Sequence, residues 1–145
     1  MQKHVVHKKI AIQATPEQVW DALTNPEKTK KYFFHCAVYS HWKEGSDIVF
    51  KGRIFFIKKI ELKGKILKIE PHKLLQYNLK NRGNKKHPPT TSTVTDKLTF
   101  AKGITTLSIT DDVGTGEGAE KRYARSMKGW DKILNGLKTL VEKEK

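Results

Sequence analysis

The C-terminal end of the chain carries the pattern that most narrows its fold. From Gly118 to Glu142 the apolar residues fall at Tyr123, Met127, Trp130, Leu134, Leu137 and Val141, at intervals of four, three, four, three and four. That spacing keeps side chains on one face of an α-helix. Ile133 and Leu140 widen the stripe, while Lys121, Arg122, Lys128, Lys132 and Lys138 lie mostly on the other side. Nearly everything between Cys36 and Asp112 reads as strands. A long helix with a wide apolar stripe, following such a run, must lie on the sheet to remove its stripe from water. A helix held by a curved sheet can enclose a cavity, so the fold bears directly on function.

Upstream, His4 to Gln13 alternates in a way that reads as a first strand. Thr15-Pro16-Glu17 then starts a helix, with Thr15 as N-cap, Pro16 at the first helical position and Gln18 three residues after the cap. Val19, Trp20 and Leu23 form its apolar face. Asn25-Pro26 ends it and opens a second short helix reaching about Phe33. Strands are expected over Ala37 to Trp42, Asp47 to Gly52, Arg53 to Leu62 and Gly64 to Glu70, the last with a phase shift at Ile66, Leu67 and Ile69 that suggests a bulge. Leu75, Tyr77 and Leu79 point to one face of a further strand. Asn81 to Thr91, with Gly83 and Pro88-Pro89, reads as a long loop. Thr93 to Phe100 and Thr105 to Thr110 form a hairpin across Ala101-Lys102-Gly103. The connections are too short for crossover helices, so the strands are antiparallel. Gly114, Gly116 and Gly118 lead into the last helix without the Lys-Ser/Thr of a phosphate loop, and read as a flexible segment and mobile cavity lip.

The 145 residues suit one domain spanning 1–145, with no repeat or linker to divide it. Cys36 is the one cysteine, so no internal disulfide can form, which fits a reducing compartment. Met1 to Lys9 has no apolar core of a signal peptide, and no stretch approaches a membrane span. A cytoplasmic protein, monomeric or homodimeric, is therefore expected. The formal charge of +14 allows nucleic acid, anionic membrane or acidic proteins as partners. The lysines are spread along the chain, however, as on a solvated surface. The densest run, Lys80 to His87, lacks the stacking aromatics of a single-strand binder, so nucleic acid ranks last.

Several phrases together resemble a known family. Val19-Trp20-Asp21-Ala22-Leu23-Thr24-Asn25-Pro26-Glu27 is similar to the opening helices of the START-like, helix-grip (SRPBCC, pollen-allergen-like) superfamily. Trp42-Lys43-Glu44-Gly45, Gly64-Lys65-Ile66-Leu67-Lys68-Ile69-Glu70-Pro71 with Leu74-Leu75, and Ser92-Thr93-Val94-Thr95 with Leu98 follow in order. Thr105-Thr106-Leu107-Ser108-Ile109 and Gly129-Trp130 with Leu134, Leu137 and Leu140 complete the set. The ordered set resembles the branch homologous to the C-terminal domain of the activator of the ninety-kilodalton heat-shock protein's ATPase. The resemblance implies an α+β helix-grip fold. A curved antiparallel sheet of about six or seven strands would wrap the C-terminal helix, with two short helices after the first strand. It implies a cavity but no single function, since members bind lipids, hormones or polyketides, some catalyse reactions and one stimulates a chaperone. The resemblance does not extend to the eukaryotic activator's separate chaperone-binding N-terminal domain, and Asp96 stands where members often carry an aromatic.

A helix-grip cavity would be lined by Phe33, Trp42, Phe50, Phe56, Tyr77, Asp96, Leu107, Tyr123, Met127 and Trp130. Such pockets are mostly apolar, and Tyr and Trp add a polar tip to an apolar body. Asp96 shares strand parity with Val94, Leu98 and Phe100. An ionised carboxylate on the inward face is costly unless paired with Arg53, with the neighbours of Lys97 or with a ligand cation. It could also carry a raised pKa and act as a base. The preferred expectation is a bulge or strand start that turns Asp96 outward. The six histidines show no metal-ligand spacing, and Cys36 reads as a buried structural residue, so no metal or cofactor is expected. The expected function is binding of a small apolar or amphipathic molecule, lipids included. A chaperone-type interaction module with an acidic partner is the alternative, and a cavity enzyme ranks third.

Overall fold

The structure, a computed structural model, describes residues 4–54, 58–81 and 90–144. Its elements run β1 (Val5–Ile12), α1 (Pro16–Thr24), α2 (Pro26–Tyr32), β2 (Cys36–Ser40), β3 (Asp47–Ile54), β4 (Lys58–Glu70), β5 (Leu74–Asn81), β6 (Thr90–Ala101), β7 (Ile104–Asp112) and α3 (Ala119–Lys143). The strands form one sheet in the order β1-β7-β6-β5-β4-β3-β2, and every neighbouring pair is antiparallel. This is the expected α+β helix-grip arrangement, with α3 on the concave face and α1 and α2 closing one end.

The helix boundaries follow from local chemistry. Thr15 Oγ1 accepts from Gln18 N at 3.2 Å while Gln18 Oε1 accepts from Thr15 N at 2.9 Å, a reciprocal capping box. Asn25, held extended by the following proline, ends α1 and caps α2 by accepting from Glu27 N at 3.0 Å. Along β7 the pattern is strict: Thr105, Leu107, Ile109 and Asp111 are buried, and the residues between them are not. α3 answers with Trp130, Ile133, Leu134, Leu137 and Val141, which close the core against the sheet.

Several boundaries differ from the sequence-based expectation, β2 for example ending at Ser40 rather than Trp42. Arg53 to Leu62 and Gly64 to Glu70 are not separate strands: residues 53–54 end β3, and β4 continues through Gly64. Gly64 marks a close approach rather than a break, because a Cβ there would lie 1.6 Å from the carbonyl oxygen of Asn78 on β5. The expected bulge follows it, with a register shift between Ile66 and Lys68. At the expected long loop, Asn81 belongs to β5 and Thr90 and Thr91 to β6, while 82–89 lie outside the described residues. The glycine segment before α3 is tied rather than loose. Arg122 donates to the carbonyls of Val113, Thr115 and Glu117 at 3.0, 3.2 and 2.8 Å.

Candidate functional site

Between α3 and the sheet lies a cavity of about 20 Å³, room for roughly one water molecule. Phe33, at the end of α2, stacks on Phe50 of β3 with centroids 4.7 Å apart. Phe50 meets Tyr77 of β5 at 5.8 Å, and Trp130 of α3 meets Phe33 edge-on at 6.0 Å. Thr29 and Tyr32 of α2 complete one wall. Their polar atoms are occupied: Thr29 Oγ1 accepts from Val38 N at 3.0 Å, and the Tyr32 hydroxyl donates to the Ala22 carbonyl at 2.6 Å. Close packing of α2 on α3 depends on Gly136, where an added Cβ would come 2.9 Å from Tyr32 Cβ.

Asp96 enters this cavity from β6. β6 runs through it without a bulge, paired to Leu75 on one side and Ile109 on the other, so it keeps the inward parity of Val94 and Leu98. The expectation that it turns outward is thereby overturned: continuous pairing on both sides outweighs the cost of burying a carboxyl. Its residue exposure is 3%, and Oδ1 has no hydrogen-bond partner among the described residues. Burial, and secondarily the charge of Asp111, pushes its pKa from 3.8 to about 7. Burial likewise holds the Tyr32 and Tyr77 phenols well above their ordinary range, with Asp96 adding to it.

Asp111 is the second inward carboxylate. Its Oδ2 accepts from Ser126 Oγ at 2.6 Å and from the Trp130 indole at 2.9 Å, while Oδ1 has no partner among the described residues. These bonds fix the Trp130 ring beside the cavity. Asp111 was not singled out in the sequence, though its shared parity with Leu107 and Ile109 marks it.

Of the residues expected at a cavity, Phe33, Phe50, Tyr77, Asp96 and Trp130 come together around it. Leu107 is fully buried in the core but does not line it. Trp42 falls after β2, in a left-handed conformation (φ 57°), and packs half-buried at the margin of the core. Tyr123 and Met127 are half-buried near the start of α3, where Tyr123 meets His4 edge-on. Phe56 lies outside the described residues. Cys36 is buried, its thiol donates weakly to the Phe34 carbonyl at 3.6 Å, and burial pushes its pKa up, so it is poorly suited to act as a nucleophile.

The outer face of the sheet carries a second concavity, of about 660 Å³. Antiparallel pairing places Lys68, Gln76, Thr95, Thr110 and His7 in one row across the strands. The next row holds Leu74, Lys97, Ser108 and Lys9. All of these line the groove, and none is acidic.

The sequence matches the family profile of activator of Hsp90 ATPase homolog 1-like proteins over residues 13–142. A Cytophaga hutchinsonii protein of known solution structure is 34% identical, with 99% of this chain and 98% of that one covered and a TM-score of 0.72. Protein MLL2253 of Mesorhizobium loti is similar at 22% identity, covering 97% and 98% of the two chains, with a TM-score of 0.81. The Aha1 dimer of Colwellia psychrerythraea is similar at 20% identity, covering 95% and 96%, with a TM-score of 0.72. No curated protein sequence matches the chain.

Proposed function

This chain belongs to the family of activator of Hsp90 ATPase homolog 1-like proteins, and on that premise we propose that it binds a small apolar or amphipathic molecule between the sheet and α3. The observation that carries this reading is Asp96, a buried carboxyl in an aromatic-lined cavity whose Oδ1 has no hydrogen-bond partner among the described residues. A core filled only for stability gains nothing from it, whereas ligand sites combine apolar walls with a few placed polar groups. Burial of the ligand's apolar part would drive binding, at about 25 cal/mol per Å² removed from water. Because the cavity holds only about one water, the wall must open for the ligand to enter. A cytoplasmic setting fits the single thiol, and no described helix is long and apolar enough to cross a membrane. Native mass spectrometry of the protein purified from its own cells, followed by denaturing extraction, tests the reading. A stoichiometric organic adduct supports it; a clean protein mass, together with no response of cavity residues to apolar probes, refutes it.

A second reading is favoured by the basic groove on the outer face. Its lysines and histidine suit an acidic protein surface, and a chaperone-type partner would fit the family. Such binding weakens steeply as salt is raised, which burial of an apolar ligand does not.

A further inference from the structure

We propose that the cavity recognises an organic ammonium ion, with Asp96 accepting its charged N–H and the surrounding aromatic rings holding its apolar body. The proposal rests on the ligand-binding reading above and specifies its chemistry.

The first ground is the missing counter-charge. The chain has 29 Lys and Arg residues, yet the charged group acting on Asp96 among the described residues is another carboxylate, Asp111. Strand geometry explains why the lysines do not serve. Lys97 is adjacent in sequence but points to the opposite face of the sheet, as the period of two requires. From α3, the side chains that reach the cavity are Trp130, Ile133, Leu134 and Leu137, none of them charged. Among the described residues no basic side chain lines the cavity, and the side chain of Arg53 lies outside them, so a cationic ligand would supply the counter-charge.

The second ground is the wall. The Phe33–Phe50 stack, Tyr77 and Trp130 line the same cavity as the carboxyl. Ring faces are electron-rich and attract a cation at up to about 6 Å from the centroid. A neutral alcohol would gain only a hydrogen bond, and an anionic ligand would meet two carboxylates. A hard metal ion wants about six or more oxygen ligands, which rings cannot supply.

The third ground is a route inward. Phe33 precedes two consecutive non-glycine residues in the left-handed region, Phe34 (φ 48°) and His35 (φ 63°). Phe34 is exposed, and its ring rests on α3 at Gly129. Backbone held in this sparsely populated conformation gives the 33–35 segment an alternative to relax into. Withdrawal of Phe33 from Phe50 would enlarge the cavity beyond one water.

The test uses three probes of similar shape, benzylammonium, benzyl alcohol and benzoate. Each is titrated at about pH 8, where the carboxyl is largely ionised, and followed by amide NMR shifts and calorimetry. The expected result is that benzylammonium shifts the amides of Phe33, Asp96 and Trp130 and binds at least about tenfold more tightly than benzyl alcohol, with benzoate weaker still. Asp96→Asn should abolish the advantage of the amine and leave the alcohol unaffected. Equal or tighter cavity binding of the alcohol or benzoate overturns the ammonium proposal while the cavity reading stands. No cavity response to any probe, or shifts confined to the outer face, overturns both. The wild-type comparison is decisive without the variant.

Discussion

Replacing Asp96 by asparagine isolates the energetics of the buried carboxyl, because the amide has nearly the same shape and no charge to desolvate. In the folded protein, burial and then Asp111 raise the carboxyl pKa from 3.8 to about 7. Between those values the native state holds a proton that the unfolded chain has released. Stability therefore falls as pH rises through the window, then levels off above it. At about 1.4 kcal/mol per pH unit over about three units, the decline attributable to Asp96 is about 4 kcal/mol. Asp96→Asn removes it. At about pH 4 the two proteins should agree within ~1 kcal/mol, and by about pH 8 the variant should be more stable by ~2–4 kcal/mol. The assay is urea unfolding followed by tryptophan fluorescence across that range. The two proteins differ at one side chain, so the difference curve reports residue 96. A flat difference, or a variant less stable at the alkaline end, would mean that the carboxylate is ionised and well paired in the native state.

Other substitutions test the packing around the site by the same unfolding assay. Trp130→Phe removes the indole donor to Asp111 and should cost ~1–3 kcal/mol, whereas Trp130→Ala should cost ~3–5 kcal/mol; a loss under ~1 kcal/mol in the alanine variant would contradict burial of the ring. Gly136→Ala drives a methyl to 2.9 Å from Tyr32 and should cost ~1–3 kcal/mol, while Gly129→Ala meets Phe34 at an ordinary 3.7 Å and should gain up to ~1 kcal/mol of helix propensity. Shifts of the same sign for both would contradict the seating of α2 on α3. Arg122→Ala unties three carbonyls before α3 and should cost ~1–3 kcal/mol, with faster amide exchange across 113–118; unchanged exchange would refute the clamp.

Local rules made most of the fold legible. The capping box at Thr15, the Asn25-Pro26 junction and the stripe from Tyr123 to Val141 are each set by a few neighbouring residues. The site was less legible because it depends on position along an element as well as on face. The helical stripe includes Tyr123 and Met127 but cannot say that the cavity begins near Trp130. Strand parity grouped Asp96 with Val94 and Leu98, yet the solvation cost of a carboxylate argued against that face; only the pairing of β6 on both sides decides it. Tyr32 and Thr29 sit on a helix of seven residues, too short for periodicity to show an inward side.

Because side chains alternate along β6, Asp96 and Lys97 separate the two functional readings although they are adjacent. Asp96 faces the cavity, and Lys97 faces the groove shared with Lys9 and Lys68. Lys97→Glu puts a negative charge at the centre of the basic rows and leaves the cavity wall untouched. If the outer face binds acidic protein surfaces, this variant should weaken binding of a poly-glutamate probe by at least about tenfold at low salt while benzylammonium binding is unchanged. Asp96→Asn should do the reverse. Loss of both activities in either variant would mean that the two faces are coupled through the sheet, and loss of neither would exclude both surfaces. The alternation that hid the carboxyl from the lysines makes the pair a clean discriminator, since a single-residue shift along the strand exchanges one face for the other.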